Sequence, residues 1–232
     1  MTTNAATFPA LRSEPPSDED VVRRVRAGDT AMFEVLMRRY NQRLYRVARG
    51  IVRDHADAED VMQQAYLNAY THLHQYEHRG SFAGWLTRIA VHEAFAGRRR
   101  RAAAAVTESM VGDGLRHRIA SPSPDPEQAA LSSELRADLE AIIDSLAEAY
   151  RPVFVLREVE GLTTAETAEA LGLSEDVVKT RLHRACGMLR EALAREGQRP
   201  VDLFRFGSGQ CDRMVAAVVA RLDGPARSLD EL

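Results

Sequence analysis

Apolar residues in this chain keep helical spacing in one segment after another, and that regularity restricts the fold more than any single motif. In TAMFEVLMRRYNQRLYRVARGIV (30–52), Phe33, Leu36, Met37, Tyr40, Leu44, Val47, Ala48 and Ile51 recur every three or four positions, with arginines off the stripe. This is one long amphipathic helix with a buried face. DAEDVMQQAYLNAYTHL (57–73) repeats the pattern with Met62, Tyr66, Ala69 and Leu73. FAGWLTRIAVHEAFAGRRRR (82–101) does so with Phe82, Trp85, Leu86, Ile89 and Ala90. Ahead of these, Ser17 with Asp20 three residues on has the form of a capping box, opening a short helix with Val21, Val22 and Val25 that stops at Gly28. Asp29 is placed to cap the next helix. Four helices thus predict a first domain at 18–101, behind a disordered N-terminus at 1–17.

Between Ala102 and Pro126 the periodicity fails. An alanine run, Gly112, Gly114 and SPSPDP predict a flexible linker over 102–126. Helical spacing resumes at Leu131, Leu135, Leu139, Ile142, Ile143 and Leu146, and a short YRPVFVLREVE helix is closed by Gly161. LTTAETAEALGLSEDVVKTRLHRA (162–185) follows. Thr163 and Glu166 form a capping box, Ala165, Ala168 and Leu171 face inward, LGLS turns the chain and Ser174 caps the next helix. Two helices around so short a glycine-containing bend are a helix-turn-helix, in a second domain at 127–195. On its second helix Val178, Leu182, Ala185 and Leu189 share the inward face. Lys179, Thr180, His183 and Arg184 are left outside, groups that donate to phosphate oxygens and base edges on a helix whose diameter fits a DNA major groove. The fold class is all-α: two small helical domains joined by a flexible linker, plus a C-terminal helical extension.

A net charge of -3 taken alone argues against a nucleic-acid partner. The average conceals segregation, with acid at Glu14 to Asp20 and 125–148 and base at RRRR (98–101) and KTRLHR (179–184). The arginine block follows a loop, HQYEHRGS, containing Tyr76, His78 and Arg79. A basic helix beside such a loop suits single-stranded DNA, whereas Trp85 and Phe82 keep core spacing. On 57–73, Asp60, Gln63, Gln64 and Leu67 form a mostly polar stripe beside the inward face, a pattern that suits a protein partner. No apolar run reaches the eighteen or so residues that cross a bilayer, and the first residues lack a basic start followed by an apolar stretch, so a cytoplasmic protein is expected. Two cysteines, Cys186 and Cys211, are too few for a disulfide framework. No metal is expected: His72 and His74 should point to different helix faces, and Cys186 and Cys211 with a nearby histidine lack a fourth ligand. There is no phosphate loop, HExxH or nucleophile elbow, so neither enzyme activity nor a cofactor is expected.

The succession AEDVMQQAYLNAY, FAGWLTRIAVHEAFAGRRRR, a linker and YRPVFVLREVEGLTTAETAEALGLSEDVVKTRLHRA resembles the extracytoplasmic-function (ECF) class of bacterial RNA polymerase sigma factors over residues 18 to 193. That resemblance implies a chain that binds core RNA polymerase, directs it to promoters and promotes DNA melting. The first domain corresponds to sigma region 2, with Asp60, Gln63, Gln64 and Leu67 on the clamp helices of the polymerase largest subunit. Tyr76, His78, Arg79, His92, Arg98 and Arg99 fall at the capture of the minus 10 element. His92 and Glu93 stand where many members carry an asparagine-containing pair. The second domain corresponds to region 4, with Lys179, Thr180, His183 and Arg184 at the minus 35 major groove and Arg181 on phosphate. Region 3 of larger sigma factors is replaced by the linker. A cognate anti-sigma factor is also implied.

The tail VDLFRFGSGQCDRMVAAVVARL sets Met214, Val215, Val218, Val219 and Leu222 on one helical face, which will not stay solvated. Its expected fates are packing within the chain, with the helix-turn-helix domain as one address, or docking a regulator; its role at 196–232 is unassigned. Two other functions compete. A stand-alone helix-turn-helix regulator has no need of the first domain, and a polymerase-binding adaptor has no need of the recognition helix.

Overall fold

The computed structural model describes residues 15–77, 80–108, 140–196 and 208–222. Among them there is no strand. Helix α1 (Asp18–Arg26) starts as expected: the Ser17 hydroxyl accepts from the Asp20 amide at 3.1 Å. Three acidic residues in its first turn and three arginines in its last complement the helix dipole. Asp29 does not cap. Its carboxylate instead takes the Arg24 guanidinium at 2.6 Å, a charge-assisted bond stronger than one from a backbone amide. The chain then makes a 3-10 turn at Thr30–Met32 before α2 (Phe33–Val52).

Helices α2, α3 (His55–Thr71) and α4 (Phe82–Glu108) pack pairwise as a bundle, with α1 laid against α2. The stripes read from the sequence are the ones buried: Phe33, Leu36, Met37, Leu44, Met62, Tyr66, Phe82 and Leu86 are all at 1% exposure or less. Tyr66 keeps its hydroxyl satisfied in this core by donating to the Met37 carbonyl at 3.1 Å. Two local expectations change. Helix α3 ends at Thr71 and Leu73–Gln75 tighten into a 3-10 turn, which stacks the His72 and His74 rings 6.4 Å apart instead of sending them to different faces. Helix α4 runs through Ala102 to Glu108, so the expected linker is helical over 102–108. Alanine favours helix without needing a buried face, so a lost stripe there is not a lost helix.

The second unit begins with a helical segment at 140–145; Leu131, Leu135 and Leu139 lie outside the described residues. Helix α5 (Arg151–Phe154) passes into a π-helical turn at Val155–Val159, then α6 (Thr164–Leu171) and α7 (Glu175–Glu196) make the helix-turn-helix. The capping box is complete, Thr163 accepting from the Glu166 amide while the Glu166 carboxylate accepts from the Thr163 amide at 2.8 Å. Gly172 closes α6 in the left-handed conformation (φ 63°), which lets Leu173 donate back to the Ala168 carbonyl at 2.9 Å. That backbone state is why glycine sits in the bend.

The two units meet. Ile142, Ile143, Val155 and Leu156 belong to the same apolar cluster as the bundle core, while Val153, Ala168 and Val178 form a small cluster of their own. At the joint, the backbone of Gly50 near the end of α2 lies against Val155. Arg151, 1% exposed, donates to the Gly50 carbonyl at 2.8 Å and the Ile51 carbonyl at 3.3 Å, filling the orphan acceptors of a helix C-terminus. Burial pushes its guanidinium down to about 10. Arg49 reaches Asp144 at 3.0 Å beside it.

Helix α8 (Ser208–Leu222) packs mainly against α2 and α3 of the first bundle. Met214, Val215 and Val218 are buried there.

Candidate nucleic-acid interface

The recognition helix α7 is held by its apolar side. Val178 and Ala185 are fully buried, Leu189 is nearly so, and Leu182 packs on the small cluster. This fixes the opposite face, and Lys179, Thr180, His183 and Arg184 are exposed together along it. Thr180 donates its hydroxyl to the Asp176 carbonyl at 2.8 Å, Lys179 lies 3.3 Å from the Asp176 carboxylate, and Arg184 donates to the Tyr150 hydroxyl at 3.4 Å. These are weak, exposed restraints that a phosphate or a base edge can replace. Arg181, half-buried, points elsewhere: with Phe95, Arg98, Glu148, Pro152 and Leu173 it lines a cleft of about 360 Å³ between α4 and the second unit.

On the first bundle, His92 and Arg99 are exposed on α4 and Arg98 is half-buried. Arg98 is shared between the Glu148 carboxylate at 2.9 Å and the Phe95 ring, 5.1 Å from its centroid. Tyr76 is not a free stacking surface. It is 3% exposed, its ring 5.5 Å from those of Phe82 and Trp85, and its hydroxyl donates to the Gly80 carbonyl at 3.0 Å. Burial raises its phenol above the ordinary value. Arg26 closes the other side of this loop by donating to the Leu73 carbonyl at 3.1 Å and the Tyr76 carbonyl at 2.6 Å. His78 and Arg79 lie outside the described residues.

The stripe on α3 is partly committed to neighbours. Asp60 is exposed, whereas Gln63, Gln64 and Leu67 are half-buried. Gln64 donates to Asn68 at 3.2 Å, and Asn68 donates to the Glu93 carboxylate at 2.8 Å; Glu93 is 8% exposed and lies 3.5 Å from His92. Asn68 and Glu93 therefore connect the α3 stripe to the outward face of α4, a link that sequence reasoning missed. Its one sequence signal is the four-residue spacing of Gln64 and Asn68. Gln63 accepts from Arg221 of α8 at 3.3 Å. Among the described residues no cluster of three metal-ligating side chains occurs, and burial raises the Cys186 thiol above its ordinary value. No described helix is long and apolar enough to cross a membrane.

A helical bundle with a basic C-terminal helix, followed by a helix-turn-helix that presents polar and cationic groups on one face, is the architecture of a DNA-binding transcription protein. Residues 36–104 match the model for sigma-70 region 2 and residues 136–189 that for sigma-70 region 4. The chain is 34% identical over 185 residues to the ECF RNA polymerase sigma factor SigE of Mycolicibacterium smegmatis, covering 78% of this chain and 70% of that one. It is 33% identical over 189 residues to the ECF RNA polymerase sigma-E factor of Escherichia coli K12, covering 78% and 94%. The chain belongs to the ECF sigma factors, and as an alternative sigma factor it directs RNA polymerase to promoter DNA. Two solved structures share its fold. One is CnrH in complex with the cytosolic domain of CnrY (TM-score 0.53, 23% identity, 78% of this chain and 99% of that one). The other is RpoE in complex with the anti-sigma factor NepR from Bartonella quintana (TM-score 0.52, 19% identity, 74% and 98%).

Proposed function

We propose a division of labour in which the bundle at 18–101 docks on polymerase and holds the opened minus 10 element, while the domain at 127–195 reads the minus 35 element as duplex. Asp60, Gln63, Gln64 and Leu67 contact the clamp helices of the polymerase largest subunit. His92, Arg98 and Arg99, with His78 and Arg79 of the preceding loop, take the separated strand, and Tyr76 positions that loop from the core. Lys179, Thr180, His183 and Arg184 enter the major groove and Arg181 contacts phosphate once the interdomain cleft opens. The observation that carries this reading is the exposed cationic face of α7 opposite a fully buried Val178 and Ala185.

Mechanism follows from docking. Attachment of both units to one enzyme fixes their separation and raises their effective concentration for DNA, so neither has to bind promoters strongly alone. Strand opening draws on unpaired bases held at ~1–3 kcal/mol each where they stack, with no nucleotide hydrolysis and no chemistry on this chain. The protein acts in the cytoplasm, where its polymerase is, and a cognate anti-sigma factor restrains it. One relative in fold, RpoE, is known in such a complex, with the anti-sigma factor NepR, and another, CnrH, in complex with the cytosolic domain of CnrY.

The test is reconstitution. Purified protein added to core polymerase yields new, specific transcripts from a subset of promoter fragments, and Asp60→Arg reduces their yield at fixed protein concentration. A protein that binds promoter fragments alone and gives no specific initiation with core polymerase overturns the reading in favour of a stand-alone regulator.

A further inference from the structure

Helix α8 lies against α2 and α3 of the bundle and reaches the α3 stripe at Gln63. Its apolar face, with Met214, Val215 and Val218 at 5% exposure or less and Cys211, Val219 and Leu222 half-buried, completes the bundle's own hydrophobic cluster. Three polar contacts fix its register. Near its start, Asp212 takes Arg38 of α2 at 2.6 Å, and Asn41 of α2 donates to the Cys211 sulfur at 2.8 Å. Near its end, Arg221 donates to the Gln63 side chain at 3.3 Å. That last contact matters because Gln63 belongs to the stripe, between the exposed Asp60 and the half-buried Leu67.

We propose that α8 is an intramolecular competitor for the polymerase-binding face of the first bundle. The proposal rests on the reading of Asp60, Gln63, Gln64 and Leu67 as the polymerase contact. An amphipathic helix laid along a two-helix groove excludes another helix from the same place, so α8 and the polymerase clamp helices cannot both use Gln63. Because α8 is part of the same chain its effective concentration is high, and only the fraction of molecules with α8 released binds polymerase. The strength of this restraint sits in the apolar contact. Arg38 with Asp212 is an exposed pair of the sort worth little by itself, and it sets register instead.

The experiment measures equilibrium affinity for core RNA polymerase with the full chain and three full-length variants, beside hydrogen exchange over 208–222 and circular dichroism. Val218→Asp sets a carboxylate in a fully buried site and releases α8. It is expected to lose exchange protection over 208–222 and to bind polymerase about tenfold more tightly, the ratio that follows if α8 is docked nine-tenths of the time. Asp212→Arg, which turns the pair with Arg38 into a repulsion without touching the core, is expected to act in the same direction by about threefold. Should Val218→Asp disturb the bundle itself, Asp212→Arg decides the matter. Unchanged or weaker affinity together with lost protection over 208–222 overturns the proposal. Asp60→Arg, placed in the released background, separates the two ideas. If it weakens binding while release of α8 gave no gain, the competition alone is wrong; if it leaves binding unchanged, the stripe is not the polymerase contact and the competition falls with it.

Discussion

Replacing Gly50 with alanine sets two effects of known size against each other at the joint between the units. Within α2 the change is favourable, since alanine is a better interior helix residue than glycine by ~1 kcal/mol. Across the joint it is not. A Cβ at residue 50 meets Val155 at 3.0 Å from Cγ2, 3.1 Å from Cβ and 3.2 Å from Cγ1. All three atoms belong to a buried, β-branched side chain in a π-helical turn, with one stiff torsion and no room to retreat. Overpacking of this kind costs ~1–3 kcal/mol. Gly50→Ala is therefore expected to raise the hydrogen-exchange protection of the α2 and α3 amides slightly and to lower that of residues 142–159 by about tenfold, the latter corresponding to ~1.4 kcal/mol. Val155→Ala supplies the control. Alone it leaves a cavity and destabilises the joint, but combined with Gly50→Ala the lost methyl groups remove two of the three close contacts and leave the one to Cβ at 3.1 Å, so the double variant should recover part of the overpacking, ~1 kcal/mol, relative to the sum of the singles. Equal gains in protection on both sides of the joint, or simple additivity of the two substitutions, would show that the close approach at Gly50 does not hold the units together.

Glu166→Ala removes the reciprocal half of the capping box and should lower helix-turn-helix stability by ~1 kcal/mol in thermal unfolding. The bond from the Thr163 amide holds the Glu166 carboxyl below its ordinary value of 4.5, so this contribution is present above pH 4.5 and is lost as pH falls through the lower folded-state value; the variant should show no such loss. His55, hydrogen-bonded to Tyr45 through its ring nitrogen, has an imidazole held below 6.5, first by partial desolvation and then by Arg49. The folded chain therefore binds fewer protons than the unfolded one below pH 6.5, and stability should fall as pH drops from there through the lower folded-state value, a slope that His55→Gln flattens in melts at about pH 7.5 and 5.5. For recognition, Arg184→Ala in holoenzyme binding to promoter variants should cost ~1–3 kcal/mol and relax preference at one minus 35 position if it reads a base edge, whereas Lys179→Ala should weaken all promoters alike and flatten the salt dependence if it touches phosphate.

What the sequence disclosed is what local physics determines. The capping box at Thr163, the glycine at 172 and the opposed faces of 178–189 all involve groups within a few residues of one another, and the structure keeps each. Long-range choices were not legible. Nothing near Gly50 in the chain announces that Val155 will touch its backbone, and Arg151 reads as a surface arginine until the Gly50 and Ile51 carbonyls, a hundred residues earlier, become its partners. The tail shows the division most clearly. Met214, Val215 and Val218 prescribe a buried face, but which surface covers it depends on Arg38 and Asn41 facing it from α2, a fact of tertiary packing. Tyr76 belongs to the same class. Its place in a polar loop beside the arginine block marks it for single-stranded DNA, whereas the nearby Phe82 and Trp85 claim its ring for the core.

An acidic sigma factor has to present base to DNA while carrying a net charge of -3, and the joint explains how the two are reconciled. In the packed arrangement the acidic residues of the second unit face arginines of the first: Glu148 takes Arg98 at 2.9 Å, Glu169 pairs with Arg88, and Glu160 lies 3.6 Å from both Arg43 and Arg46. The first two pairs are exposed and contribute ~0–1 kcal/mol each, too little to hold the units together. The third is no tighter, because burial raises the Glu160 carboxyl even with two guanidinium groups beside it. Cohesion therefore comes from the apolar contact of Val155, Leu156, Ile142 and Ile143 with the bundle and from Arg151 on the α2 carbonyls, and the ion pairs do something else. They pair Arg88 and Arg98 of α4, and Arg43 and Arg46 of α2, with carboxylates of the second unit, so on the proposed reading Arg98 and Arg181, which line one cleft, would meet DNA phosphate only if that cleft opened. Such a separation would come at little electrostatic expense, since each carboxylate given up by an arginine would be replaced by a phosphate and the released counterions would favour the exchange.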